Sequence, residues 1–309
     1  MILLMTPIFA PAPVWRDCFA KEMPELEVRF WPEAGEHAAI DAVAAGRLPD
    51  NAVRSFPNLK LIVSLFAGQD LMLGDKTLPT TVPIVHAANP DGDEMMTETT
   101  LLHVLRHHRQ LPELLLAQQQ GEWASPKRLR TRDRKVGVMG LGPIGLAAAK
   151  ALAAQGFPVA AWARRPRQID GIEIFHGADQ LGAFLARSEI LVNLLPLTPE
   201  TEDILGEKAF AQMPRGASII NLGRGQHVVD ADLIAALDSG QLVAATLDVF
   251  RQEPLPKEDP LWRHPRITVI PHASRGQFPS IIAPLICNHL RRLQRGEPLT
   301  DRVDLTAGY

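Results

Sequence analysis

Cysteine is scarce in this 309-residue chain, which has only Cys18 and Cys287. Two thiols make no disulfide framework, and the count fits a reducing compartment. Long apolar runs are missing too. No stretch approaches the roughly 18 consecutive apolar residues of a membrane span. The opening Met1-Ile-Leu-Leu-Met lacks the positive n-region of a secretory signal. The expected location is cytoplasmic, with no membrane partner. Excess charge of one sign is also lacking: the formal net charge is −3, which gives no electrostatic reason to bind nucleic acid. No internal repeat or low-complexity tract occurs. What is present is 46% hydrophobic and 22% charged residues. That is enough apolar material for sizeable cores, and the length suggests two domains.

The first third alternates short apolar runs with amphipathic stretches. Ile2–Met5, Glu27–Phe30, Leu61–Leu65 and Ile84–Ala87 are predicted strands. Val14–Lys21 and Ala38–Ala45 have helical spacing and end at Pro24 and Gly46. From Asp93 to Gln120 a long helical pattern carries Leu101, Leu102, Val104, Leu105, Leu111, Leu114 and Leu115, and Pro112 should kink or split it. Glu122–Arg134 is polar and basic without a period, as in a loop.

The βα rhythm then restarts. Strands are predicted at Lys135–Met139, Val159–Ala163, Ile190–Leu194, Ser218–Asn221, Ala244–Val249 and Thr268–Ile270. Helices are predicted at Pro143–Gln155, Leu181–Arg187, Lys208–Met213 and Asp230–Ser239, and after the last strand at Pro279–Arg295. Six strands with crossovers is the count of a complete dinucleotide-binding sheet, and alternating βα units favour parallel sheets with helices on their faces.

Gly140-Leu-Gly142-Pro143-Ile144-Gly145 matches G-x-G-x-x-G. The motif alone is weak, but here it directly follows a strand and opens an alanine-rich helix, as it must. Gly140 permits the tight turn, Gly142 lets the backbone approach a pyrophosphate, and Gly145 lets helix and strand pack closely. Pro143 suits the first helical turn, whose free amides and dipole favour phosphate. The next strand ends in Ala163-Arg164-Arg165, with no acid for the ribose 2′-hydroxyl. Arginines there suit the 2′-phosphate of NADP, so NADP(H) is the expected cofactor and NAD(H) the alternative.

Three later segments sit at strand ends, where an open α/β sheet places its ligands. They carry Arg224, Glu253 and His272. Reducing a 2-oxo acid needs a cation for the carboxylate and carbonyl, a proton donor, and a group that keeps that donor charged. Arg224, His272 and Glu253 can fill those roles in that order, since a carboxylate beside an imidazole favours its charged form.

These motifs resemble the D-isomer-specific 2-hydroxyacid dehydrogenase family, most closely its glyoxylate/hydroxypyruvate reductase A branch. The similar pieces are the glycine turn, Asn193-Leu-Leu-Pro-Leu-Thr-Pro-Glu-Thr201, Ile220–Gly225, Ala235–Gly240, Leu247-Asp248-Val-Phe, Glu253-Pro-Leu-Pro256, Pro260–Arg266 and Pro271-His272. The resemblance implies that Arg224 orients and polarises the substrate, His272 is the acid/base, and Glu253 pairs with it. It further implies that Asp248 binds the nicotinamide end, that the backbone of Pro143 and Ile144 holds the pyrophosphate, and that Leu195 and Pro196 line the cofactor cleft. Ala67 and Gly68, in Leu65-Phe-Ala-Gly-Gln-Asp70, would receive the substrate carboxylate through their amides.

The implied architecture is two doubly wound parallel-sheet domains of α/β class. A Rossmann cofactor domain (93–274) is inserted in a flavodoxin-like substrate domain (1–92 plus 275–309). The implied partners are a small 2-oxo or 2-hydroxy acid, glyoxylate and hydroxypyruvate first, and a second copy of the chain in a homodimer. One stretch departs from the branch: Ala273-Ser-Arg275-Gly-Gln277-Phe278-Pro279 places Gln277 and Phe278 where Thr and Arg are expected. With Phe66, this leaves a bulkier 2-oxo acid as the rival substrate. A second rival is a catalytically silent NADPH-binding regulator, against which the retention of Arg224, Glu253 and His272 argues.

Other features fit bland roles. His103 and His107 stand one helical turn apart, but no carboxylate completes a metal site, so they and His108 are expected on a solvated or subunit-facing surface. The basic stretch Lys127–Lys135 reads as a charged loop. Trp31 and Trp123 suit either core packing or an active-site mouth, and His227, at a helix entry, suits a local role.

Overall fold

The computed structural model describes residues 1–6, 8–47, 51–66, 68–87 and 89–303. The chain divides into two units, residues 1–90 with 276–309 and residues 91–275. The second is a continuous segment that interrupts the first.

Among the described residues of the first unit five strands, β1 (Ile2–Met5), β2 (Glu27–Phe30), β3 (Ala42–Ala45), β4 (Leu61–Ser64) and β5 (Ile84–His86), pair in the order β2-β1-β3-β4-β5. All are parallel. Successive side chains of a strand point to opposite faces, and here both faces are covered. Leu3, Met5, Val63 and Val85 meet Trp15 and Phe19 of α1 (Ala12–Glu22) and Ile282 and Ile286 of α9 (Pro279–Gln294). Leu4, Val43, Ile62 and Ile84 meet Ile40, Phe56 and Met72, the last from the short α2 (Asp70–Leu73).

One expected helix is a strand. Ala38–Ala45 has helical spacing, but only His37–Ala39 turns, as a short 3-10 segment, and Ala42–Ala45 is β3. All four residues of β3 are buried, Ala42 and Ala44 in one core and Val43 and Ala45 in the other. A helix there would need a polar face that the run lacks. Hydrogen-bonded neighbours on both sides override the alanine preference.

The second unit holds seven parallel strands in the order β12-β11-β10-β9-β6-β7-β8. These are β6 (Val136–Met139), β7 (Val159–Ala163), β8 (Glu173–His176), β9 (Ile190–Asn193), β10 (Ala217–Asn221), β11 (Leu242–Leu247) and β12 (Ile267–Val269). The expected count was six. The missed strand, β8, is a partly exposed edge that pairs only with β7, and its apolar content is just Ile174 and Phe175.

Helices α5 (Pro143–Ala154), α6 (Leu181–Arg187), α7 (Glu207–Gln212) and α8 (Asp230–Asp238) make the crossovers. The long N-terminal pattern splits as predicted, into α3 (Pro90–His108) and α4 (Leu111–Gln119), with Gln110 left-handed at φ +54 just before Pro112.

The α3 histidines are not on a solvated surface. His103, His107 and His108 are all buried within this unit. His107 Nε2 lies 2.9 Å from Thr246 Oγ1 on β11, and Arg106 donates to Thr268 Oγ1 on β12 at 2.6 Å. Burial first, and then the Arg106 charge, push His103 down to about 4 and His107 down to about 3. No group of three or more His, Cys, Asp or Glu able to hold a metal occurs among the described residues. Trp123 is 99% exposed, so it does not pack in a core, whereas Trp31 packs against the first unit's core. Among the described residues no helix is long and apolar enough to cross a membrane.

Candidate active site

Because the second unit's sheet is parallel, every loop that follows a strand leaves from one edge. The order reverses at β6, which has β7 on one side and β9 on the other. Such a switch point opens a crevice at the carboxyl edge.

The glycine turn leaves β6 there. Gly140 has φ +96, and a Cβ on it would stand 2.8 Å from the Leu194 carbonyl oxygen, so only glycine fits. A Cβ on Gly145 would overlap the Gly140 carbonyl, which is how α5 comes to rest directly on the turn. At Gly142 a Cβ would meet nothing within 4 Å. Open space therefore faces the first turn of α5, with Pro143 at its first position and Ile144 next. Free helix-N-terminal amides and a dipole beside that space fit a pyrophosphate.

The loop after β7 carries Arg164 and Arg165, both exposed. Arg167, which the sequence reading passed over, donates from Nη1 to the Leu141 carbonyl at 2.7 Å. It ties the arginine loop to the glycine turn. Its signal was the third cation of Arg-Arg-Pro-Arg, which read only as local charge.

Two asparagines were also missed. Asn193 ends β9 and Asn221 ends β10, and Asn193 Nδ2 donates to Asn221 Oδ1 at 2.9 Å, both buried. Asn193 Oδ1 accepts the Leu195 amide at 3.2 Å, and Asn221 Nδ2 donates to the Arg224 carbonyl at 2.9 Å. Leu195–Pro196 and Arg224 thus sit on neighbouring, stapled loops. Both fall within motifs that resemble the family, but neither was given a role of its own. Arg224 is half-buried and donates to the Gly223 carbonyl at 2.8 Å.

Glu253 and His272 come together as predicted. His272 Nδ1 lies 2.7 Å from Glu253 Oε2, and Glu253 Oε1 accepts the Phe250 amide at 2.9 Å. With one ring nitrogen held by the carboxylate, the other, Nε2, is directed away from it. His272 is left-handed at φ +49, a conformation uncommon for a side chain of this size. Its amide donates to the Asp248 and Ile270 carbonyls, and Asp248 Oδ1 accepts the Ala273 amide at 2.9 Å and the Ser274 amide at 3.2 Å. Asp248 is 2% exposed at the end of β11. Burial raises its pKa, while these donors and the His272 charge oppose the rise.

Gly225 fixes the spacing of two of these loops. A Cβ on it would overlap the backbone of Phe250 and Arg251, just ahead of Glu253. Gly225→Ala is expected to lower stability by about 1–3 kcal/mol, because the clash is with backbone and must move one loop. Calorimetric melting beside turnover would check it, and an unchanged melting temperature would contradict it.

In the first unit, Gly68 lies in the loop after β4 and is half-buried; Ala67 lies outside the described residues. The Phe66 ring meets Phe9 edge-on at 5.9 Å and fills the space where a Cβ on Gly46 would go. Gln277 is buried, donating to the Leu65 carbonyl at 2.8 Å with its Oε1 3.3 Å from Asn89 Nδ2. The departure from the branch pattern at Gln277 therefore holds the start of the Phe66–Gly68 loop. In the second unit Arg275 pairs with Asp93 at 3.3 Å.

A nucleotide cradle at the switch point, with a carboxylate-held imidazole and an arginine at the same sheet edge, defines a class: dinucleotide-dependent oxidoreductases acting on a small acid. The chain belongs to the D-isomer specific 2-hydroxyacid dehydrogenase family, whose NAD binding domain matches residues 101–274. A glyoxylate/hydroxypyruvate reductase A from Serratia proteamaculans is 39% identical over 306 residues, covering 97% of each chain. The crystal structure of a D-isomer specific 2-hydroxyacid dehydrogenase from Xanthobacter autotrophicus Py2, in complex with NADPH and MES, is similar at a TM-score of 0.94 and 38% identity, covering 100% of this chain and 99% of that one. An NADPH-dependent glyoxylate/hydroxypyruvate reductase from Sinorhizobium meliloti, in complex with NADP and sulfate, gives 0.91 and 34% at the same coverage.

Proposed function

We propose that this chain is an NADPH-preferring 2-oxo acid reductase that converts glyoxylate and hydroxypyruvate to glycolate and D-glycerate. The observation that carries the reading is the 2.7 Å contact of His272 with Glu253, on the same sheet edge as the glycine turn. Relatives named glyoxylate/hydroxypyruvate reductase, and similar structures holding NADPH or NADP, support it.

When bound, the reduced nicotinamide supplies the hydride to the 2-carbon of the acid. Arg224 holds the carboxylate and draws charge from the carbonyl oxygen. His272 gives that oxygen the proton from Nε2, and Glu253 holds Nδ1 and fixes the ring's orientation. Asp248 holds the loop of His272 and takes the nicotinamide end. Gly140, Gly142 and Gly145 shape the turn, and the backbone of Pro143 and Ile144 takes the pyrophosphate. Leu195 and Pro196 line the cofactor cleft, and the amides of Ala67 and Gly68 receive the substrate carboxylate.

In this reading the first unit is the substrate domain, the second the cofactor domain, and the protein works in the cytoplasm. A homodimer is supported by the exposed Leu102, Leu105, Leu111 and Leu115. Phe66 and the exposed Phe278 leave, as a second reading, a bulkier acid for the same chemistry.

The test is oxidation of NADPH and NADH over a grid of 2-oxo acids. Glyoxylate or hydroxypyruvate should give the highest kcat/KM, with NADPH ahead of NADH. No turnover on any 2-oxo acid would refute the reading, and a larger kcat/KM on a bulky acid would select the second. Replacing Arg164 and Arg165 together with alanine is expected to cut kcat/KM for NADPH by about 10- to 100-fold, the loss of one or two charge-assisted hydrogen bonds, with NADH little changed. Equal losses with both cofactors would remove the arginines from 2′-phosphate recognition.

A further inference from the structure

His227 closes the short turn Gly225–His227 and is fully buried. Its ring lies where two strand-end loops meet. The Arg224 amide donates to Nδ1 at 3.1 Å, and Asn193 Nδ2 lies 2.8 Å from the same nitrogen. A backbone N–H can only donate, so Nδ1 carries a lone pair and the ring proton is on Nε2. Nε2 lies 3.2 Å from the Pro196 carbonyl, which can only accept. A single neutral tautomer satisfies every one of these contacts. The Arg224 peptide is thereby held at its amide by His227 and at its carbonyl by Asn221. The Leu195–Pro196 loop is held at its amide by Asn193 and at its carbonyl by His227. A side chain that merely filled space would need no acceptor on one edge and donor on the other.

We infer that His227 is a positioning residue whose two ring nitrogens serve two ligands. Nδ1 sets the backbone that presents Arg224 to the carboxylate of the acid. Nε2 sets the Leu195–Pro196 loop toward the cofactor. The inference rests on the proposed roles of Arg224 and of that loop, and adds a division of labour that those roles do not contain.

The two nitrogens can be separated by substitution. His227→Asn keeps an acceptor near the place of Nδ1 and loses the donor. His227→Gln extends a donor toward the place of Nε2 and loses the acceptor. Two affinities are read: NADPH by quenching of protein fluorescence, and oxamate, a non-reducible mimic of a 2-oxo acid, by calorimetry on the NADPH-loaded protein. In His227→Gln the Kd for oxamate and the KM for glyoxylate are expected to rise about tenfold, the worth of one hydrogen bond, with the Kd for NADPH within about threefold. In His227→Asn the pattern reverses, and in both kcat falls less than the weakened affinity, since His272 is intact.

Loss of both affinities in step with melting temperature in both variants would reduce His227 to a structural residue and overturn the inference. Unchanged affinities in both, or no oxamate binding by the unmodified protein, would overturn it as well. The crossed pattern in a protein that reduces no 2-oxo acid would uphold the inference and refute the proposed reaction alone.

Discussion

Replacing His272 with alanine should lower kcat by about 10²- to 10⁴-fold, the usual worth of a general acid, while the Kd for NADPH stays within about twofold. The imidazole is held through Nδ1 by Glu253 at 2.7 Å, and its side chain is half exposed. Its other nitrogen is the one that can meet a carbonyl oxygen. Nothing in the glycine turn or the arginine loop hydrogen-bonds to this ring among the described contacts, so cofactor affinity should not follow turnover. Glu253→Gln should act in the same direction but less strongly, since an amide oxygen can still accept from Nδ1 and hold the ring, though without the carboxylate's charge. Steady-state kinetics with fluorescence titration of NADPH separates these effects. Wild-type turnover in His272→Ala would dismiss the histidine as the acid.

The second large effect is on stability in acid. His103 and His107 ordinarily titrate near 6.5, and in the fold they are pushed down to about 4 and about 3. Burial is the main cause, and nearby charge adds to it: Arg106 for His103, and Arg106, His103 and Arg134 for His107. His108 is pushed down too, by burial, Arg134 and Arg109. The unfolded chain therefore takes up protons first as pH falls, and stability is lost from about 6.5 downward until the folded values are reached. Each of the two strongly shifted groups removes up to about 1.4 kcal/mol per pH unit.

Asp93, Glu113, Asp230 and Asp248 are pushed the other way by burial, so they add stability as pH falls. Their contribution grows lower in the range, which leaves the interval from about 6.5 to 5 as the clearest window for the histidines. Urea unfolding followed through that window should show a steep fall for the unmodified protein. The double variant His103→Gln, His107→Gln should show a shallower one, whatever its stability at neutral pH. Parallel slopes would mean that the two rings are not the proton-linked groups.

Much of this candidate site is legible in the sequence because its chemistry sits at strand ends, and strand ends are marked in sequence. Gly140, Arg224, Glu253 and His272 each follow an apolar run that could hardly be anything else. The failures have a common cause. β3 is made of Ala-Val-Ala-Ala, whose preference is helical, and only hydrogen bonds to β1 and β4 make it a strand. β8 is an edge with too little apolar surface to stand out. The α3 histidines read as a polar face because nothing local reveals that Thr246 lies across from His107 and Thr268 across from Arg106, well over 100 positions away. Asn193, Asn221 and His227 form one network, yet each alone is an unremarkable polar residue. Local pattern reveals what a strand end carries; it does not reveal which loops are tied to each other.

The interrupted first unit has a consequence for synthesis. Its five strands have all been made by His86, but one of the two apolar faces of that sheet is covered by α1 together with Ile282 and Ile286 of α9. The whole continuous second unit emerges from the ribosome between those two points and can reach its own core while still tethered. The earlier-made sheet must wait, with Leu3, Met5, Val63 and Val85 uncovered on that face by α9. The part of the molecule translated first therefore lacks a share of its own core until almost the whole chain has been made.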